Sequence, residues 1–73
     1  MEKKGTVRWW NEEKGHGFIR GSDNQDYFVH HTGILGEGRK QLARDEEVVF
    51  EGIETGKGPR AVMVKRRGFV RAA

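Results

Sequence analysis

Cysteine is absent from the 73 residues, which excludes disulfide staples, thiolate metal sites and a thiol nucleophile, so a small core has to cohere without cross-links. A reducing, intracellular compartment suits such a chain, and cytoplasmic residence is the expectation. Long apolar runs are also missing. None approaches the roughly 20 residues that a membrane-spanning helix needs, so no membrane contact is expected. Behind the charges of Met1-Glu-Lys-Lys-Gly5 there is no apolar stretch, so no ordinary secretory signal is expected. Helical periodicity fails as well, since no segment keeps a period of 3.6 over three turns. At 73 residues the chain suffices for one compact domain, too small for a deep enclosed active site.

Glycine and charge are what the sequence has in quantity. Eleven glycines punctuate it every few residues, the spacing of short strands joined by turns. Five strands are predicted, at about 4–11, 16–21, 26–31, 46–53 and 59–66, each bounded by Gly, Asn, Asp or Pro. A hairpin loop at 21–25 joins the second and third, and the long connection from Thr32 to Asp45 has room for one helical turn. The pattern predicts an all-β fold, a five-stranded antiparallel β-barrel over residues 1–66, with a basic tail at 67–73. Net charge is +3, unevenly placed. Residues 1–20 carry five basic and three acidic groups, 21–55 three and eight, and 56–73 six and none. Folding such a chain gives a positive face that attracts polyanions and a negative one that does not.

Successive residues of a strand point to opposite sides of the sheet, and this sorts the side chains. Ile19 faces one way, and His16, Phe18 and Arg20 the other. Tyr27 and Val29 lie opposite Phe28 and His30. A core of Val7, Ile19, Val29, Val48, Phe50, Val62 and Val64 results, leaving Phe18 and Phe28 outside it. Trp9 and Trp10 are adjacent and point opposite ways unless a bulge intervenes; periodicity does not say which indole faces solvent. Exposed rings interleaved with cations are what a binder of unpaired nucleic acid needs, because phosphates lie outside and base faces are free to stack. Lys4 to Phe18 supplies that mixture, and Tyr27-Phe28-Val29-His30-His31 repeats its ring-rich part.

Over about Lys4 to Val64 the chain resembles the bacterial cold shock proteins and the cold-shock domain generally. KGTVRWWNEEKGHGFI looks like the family's first two strands with its first RNA-binding motif, DYFVHHTGI like its second, and GKGPRAVMV like its last strand. The resemblance implies an OB-type barrel, a class that commonly binds oligonucleotides across strands two and three. It implies nucleic-acid contacts at Arg8, Trp9, Lys14, Phe18, Phe28 and His30, and a role as an RNA chaperone acting on single-stranded RNA and DNA. Lys57 and Arg60, the cations of the last-strand segment, join the candidate set. So do His16, His31 and Arg39, which with Trp10 stand where the family usually has phenylalanine or another aromatic. Rings are thereby exchanged for groups able to carry positive charge while still stacking. A monomer or weak dimer is expected, without cofactor or metal.

Other chemistries fit less well. Gly52-Ile-Glu-Thr-Gly56-Lys57-Gly58 has its glycines one residue too close for a P-loop, and Gly58 replaces the metal-binding hydroxyl; it reads as a hairpin turn. Gly15-His-Gly17-Phe-Ile-Arg-Gly21 has one residue too many for a dinucleotide fingerprint and lies on a strand. RNA cleavage by His30 or His31 with His16 and Lys14 has acid–base groups but no expected pocket. Zinc binding by the histidines is disfavoured on the expectation that adjacent His30 and His31 face opposite ways. A protein-interaction barrel using the exposed rings as an apolar patch is the remaining alternative.

Overall fold

The alternating strands and their glycine-bounded turns assemble as expected from the pattern. The computed structural model describes residues 2–36 and 41–66. Within them lie β1 (Glu2–Asn11), β2 (His16–Gly21), β3 (Asp26–His30), β4 (Glu47–Thr55) and β5 (Gly58–Arg66), with a 3-10 turn at His31–Gly33. The predicted helical turn of the long connection is this short one, beginning a residue early. Gly56 and Lys57 form the β4–β5 hairpin turn, the reading preferred above to a P-loop. Among the described residues no helix is long and apolar enough to cross a membrane.

The strands close into a barrel in the order β1-β2-β3-β5-β4. Direction follows from pairing. β2 opposes β1 and β3 opposes β2, so β3 runs with β1; β4 opposes β1 and β5 opposes β4, so β5 does too. The closing seam between β3 and β5 is therefore parallel, with Phe28 beside Arg60 and Val29 beside Ala61. An isolated parallel bridge from Ile34 to Val64 lies next to it.

The interior holds Val7, Ile19, Val29, Val48, Phe50 and Val64, as alternation predicts, together with Tyr27, Ile34, Leu42 and Ala61. Val62 departs from expectation: it is half-buried, and Ala61 takes the inward position. The cause is a bulge in β5. Between the pairs Val49–Lys65 and Glu51–Val62, β4 has one residue, Phe50, where β5 has two, Met63 and Val64. The extra residue shifts the alternation so that Ala61 and Val64 both face inward. Met63 absorbs the turn of the chain at φ 52°, a left-handed value that an L side chain adopts at a cost.

A second bulge lies in β1. Val7 pairs with Ile19 and Trp9 with Phe18, so Arg8 is the extra residue. Arg8 and Trp9 consequently both face solvent, while Trp10 turns inward to pack against the core. Without the bulge, Trp9 would share the inner face with Val7. Gly17 permits this geometry, since a Cβ there would overlap the carbonyl oxygen of Trp9 and come within 3.0 Å of the Trp10 Cα. At the other end of β2, the Tyr27 hydroxyl donates to Asp23 Oδ2 at 2.6 Å, tying the hairpin loop to the barrel. That bond first, and then burial, pushes the phenol up to about 12; the same bond, against the opposing effect of burial, holds the Asp23 carboxyl below its usual range.

Two outcomes are expected from the bulges. Gly17→Ala should cost about 2–4 kcal/mol in urea unfolding, because backbone rather than a pliable side chain blocks the methyl group. An unchanged midpoint would show that β1 can retreat from β2 freely. Met63→Gly should raise stability by about 0.5–1 kcal/mol, the relief of left-handed strain less the entropy cost of glycine. A lower midpoint would mean that the half-exposed Met63 side chain contributes more than its strain costs.

Candidate nucleic-acid interface

Pairing of β2 with β3 places outward-facing residues in three rows: His16 opposite His30, Phe18 opposite Phe28, and Arg20 opposite Asp26. The third row is an ion pair, with Arg20 Nε donating to Asp26 Oδ1. That hydrogen bond, followed by desolvation opposing it and then by the charges of Arg20 and Arg8, leaves the Asp26 carboxyl below its ordinary value. The bulged β1 adds Trp9 alongside. Its indole lies 5.9 Å from the Phe18 ring and 5.8 Å from the His16 ring, centroid to centroid. Phe28 joins the same cluster, 5.8 Å from Phe18 and 5.5 Å from His16. All these contacts are edge-on or tilted. The rings therefore brace one another without stacking face to face, and Trp9 remains 44% exposed.

Cations reach this face from other elements. The parallel seam brings Arg60 of β5 beside Phe28, with its guanidinium carbon 5.9 Å from the ring centroid. At that distance the guanidinium is within reach of a cation–π contact with the ring, and its N–H groups stay available to a ligand. Lys57 stands at the hairpin turn, and between that turn and the rings lies an open cleft of about 460 Å³ lined by Phe18, Phe28, Asp26, Thr55, Pro59 and both cations. Arg8 projects from the β1 bulge next to Trp9, fully on the outside. Lys14 is exposed on the β1–β2 turn, which its backbone N–H helps to close by donating to Asn11 Oδ1 at 3.0 Å.

His30 and His31 do not face opposite ways. β3 ends at His30 and the 3-10 turn begins at His31, so alternation lapses between them and the ring centroids come to 4.3 Å. His30 is anchored by Thr32, whose N–H donates to Nδ1 at 3.4 Å and whose Oγ1 lies 2.9 Å from the same nitrogen. Desolvation first, then His31, Arg60 and His16, keeps the His30 imidazole below its ordinary pKa. The His31 ring rests over Gly15, where φ is 65° and a Cβ would meet the ring carbon at 2.6 Å.

Of the candidate residues, Trp9, His16, Phe18, Phe28, His30, His31 and Arg60 thus share one continuous outer surface. Arg8, Lys14 and Lys57 stand on its bulge and turns. Arg39 and the basic tail at 67–73 lie outside the described residues. Asp26, Thr55 and Pro59 were not among the candidates. The signal for Asp26 was present in the sequence, since alternation puts it on the face of Phe28. Thr55 and Pro59 gave none, because they reach the rings only through the curl of the β4–β5 hairpin.

Comparison with known proteins gives a consistent result. The family model described as the "Cold-shock" DNA-binding domain matches residues 3–67. Cold shock protein CspB of Geobacillus stearothermophilus is 47% identical over 62 residues, covering 85% of this chain and 94% of that protein. A cold shock-like protein of Aquifex aeolicus is 46% identical over 69 residues, covering 93% and 99%. Among solved structures, Drosophila Unr CSD456 superposes with a TM-score of 0.74 at 28% identity, over 90% of this chain and 26% of that one.

Phe18→Ala or Phe28→Ala should each weaken single-strand binding by about 1–3 kcal/mol while leaving the barrel folded, because neither ring belongs to the core. Circular dichroism with an oligonucleotide titration checks both halves; unfolding of either variant would mean that the barrel depends on these rings.

Proposed function

The chain belongs to the cold-shock domain family, and on that premise we propose that it binds single-stranded RNA and DNA with little sequence preference, acting as an ATP-independent RNA chaperone. The observation that carries this reading is the outward cluster of Trp9, His16, Phe18 and Phe28 with Arg60 laid against it. Flat rings that brace one another edge-on offer platforms to successive unpaired bases, and every base has a face to stack. Arg8, Lys14, Lys57 and Arg60 supply phosphate contacts around those platforms. Paired bases are already stacked on their neighbours, so a duplex cannot use the rings in the same way.

Chaperone action then follows from mass action. A protein that binds the open strand and not the hairpin shifts the equilibrium by its binding free energy, with no nucleotide hydrolysis. Each stacked base contributes about 1–3 kcal/mol, against about 1.4 kcal/mol for a duplex step on the DNA scale. Three or four stacks offset a short or imperfect hairpin and leave a long helix intact.

Intrinsic fluorescence tests this. In a Trp10→Phe background, which leaves Trp9 as the single indole, oligo-dT should quench emission strongly and duplex of the same length should change it little. Affinity should fall with salt by about 0.7 in log–log slope per phosphate contacted. Equal quenching by duplex would replace the proposal with nonspecific charge attraction; saltless, strand-independent behaviour would favour a protein-binding apolar patch.

A further inference from the structure

Three imidazoles gather at one end of the ring cluster, contributed by separate elements. His16 of β2 and His30 of β3 are cross-strand partners, and the ring of His31 in the 3-10 turn packs against His30 in a tilted arrangement with centroids 4.3 Å apart. The groups around them are mostly cationic or neutral. Arg60 comes from β5, and its charge, with those of His16 and His31, opposes protonation of His30. β1 sets the neutral Trp9 against His16, with Arg8 beside it in sequence. The turn beneath His31 carries Glu12, Glu13 and Lys14. Asp26, the carboxylate that β3 places on this face, lies in the third row and is engaged by Arg20; Lys57 of the β4–β5 turn lines the cleft beyond.

We propose that strand binding by this chain is coupled to proton uptake at the cluster of His16, His30 and His31, whose rings offer stacking faces when neutral and phosphate-binding cations when protonated. The proposal rests on the single-strand reading above and names a regulation of that same site. In the free protein, desolvation first and then the charges of His31, Arg60 and His16 disfavour protonation of His30. A bound strand changes that balance by laying phosphates over the cluster. Each phosphate favours the protonated ring, so imidazole pKa values rise on binding.

Thr32 offers His30 Nδ1 a partner in either protonation state, its N–H as donor to the neutral ring and its Oγ1 as acceptor from the charged one. In the neutral tautomer that carries its hydrogen on Nε2, Nδ1 accepts from the Thr32 N–H at 3.4 Å. Protonation adds a hydrogen on Nδ1, and Thr32 Oγ1 at 2.9 Å is placed to accept it. Nε2–H thus remains a donor in both states, while the ring gains a charge. The sign of the linkage follows. A group whose pKa is higher in the complex than in the free protein takes up a proton on association. Affinity therefore rises as pH falls through the value in the complex, and levels off below the depressed value of the free protein.

Titration of the full chain with oligo-dT, whose base does not ionise in this range, is the test, at about pH 8 and about pH 5.5 and at two salt concentrations. Binding should tighten by about tenfold for each unit by which an imidazole pKa is raised in the complex. The salt slope should also steepen by about 0.7 for each added phosphate contact. In His16→Phe/His31→Phe the pH response should shrink; a response of undiminished size there would overturn the assignment to this cluster. Should that variant fold poorly, the imidazole proton resonances of the unmodified protein read the same quantity directly, and titration midpoints unmoved by oligo-dT would overturn the proposal. Equal affinity at both pH values, with binding intact, would overturn proton coupling and leave the single-strand reading standing. Absence of oligo-dT binding at either pH would instead remove that reading.

Discussion

The carbonyl of Trp9 lies where a side chain on Gly17 would have to be, and the ring-bearing surface depends on that approach. It is possible because β1 carries one residue too many between Val7 and Trp9. A strand with unbroken alternation would send Trp9 into the barrel behind Val7 and leave Trp10 outside. With the bulge, Trp9 instead joins Phe18 and His16, and Trp10 fills space at the edge of the core. The bulge in β5 has the same effect on the opposite side of the barrel, bringing Ala61 inward and leaving Met63 to take up a left-handed conformation. One inserted residue per strand thus decides which side chains meet a ligand and which meet the core.

The surface combines two kinds of group that ordinarily conflict. Exposed phenylalanine invites association, and clustered cations repel one another, yet here each tempers the other. Arg60 stands over Phe28, its guanidinium carbon within reach of a cation–π contact with the ring. Asp26, held by Arg20, ends the ring cluster with an ion pair rather than a further ring. Exposed ion pairs of this kind contribute little to stability. Asp26 lines the cleft together with Lys57 and Arg60, and its pairing with Arg20 offsets its charge there.

Imidazoles at three positions distinguish this surface from one built of phenylalanine alone. A phenyl ring offers one mode of contact at every pH, whereas an imidazole stacks when neutral and pairs with phosphate when charged. At His30 that second state depends on the ligand, because desolvation and then the positive charge of His31, Arg60 and His16 disfavour it in the free protein. Affinity and proton uptake become two aspects of one equilibrium.

Much of this was determined by the sequence alone. Absence of helical periodicity, glycine-bounded strands and a two-residue alternation were enough to predict the barrel, most of its core, and the outward orientation of Phe18, Phe28 and His30. Motif resemblance then pointed to the ligand class. Tertiary structure decided what alternation cannot express. A bulge leaves composition and spacing unchanged, so the orientation of Trp9, the exchange of Val62 for Ala61, and the strain at Met63 appeared only once strands were in register. The tilted contact of His30 with His31 depended on where β3 gives way to a turn, a boundary that sequence locates only to within a residue or two. Closure placed Arg60 over Phe28, far apart in the chain, since a parallel seam is imposed by the directions of all five strands together and by no local signal.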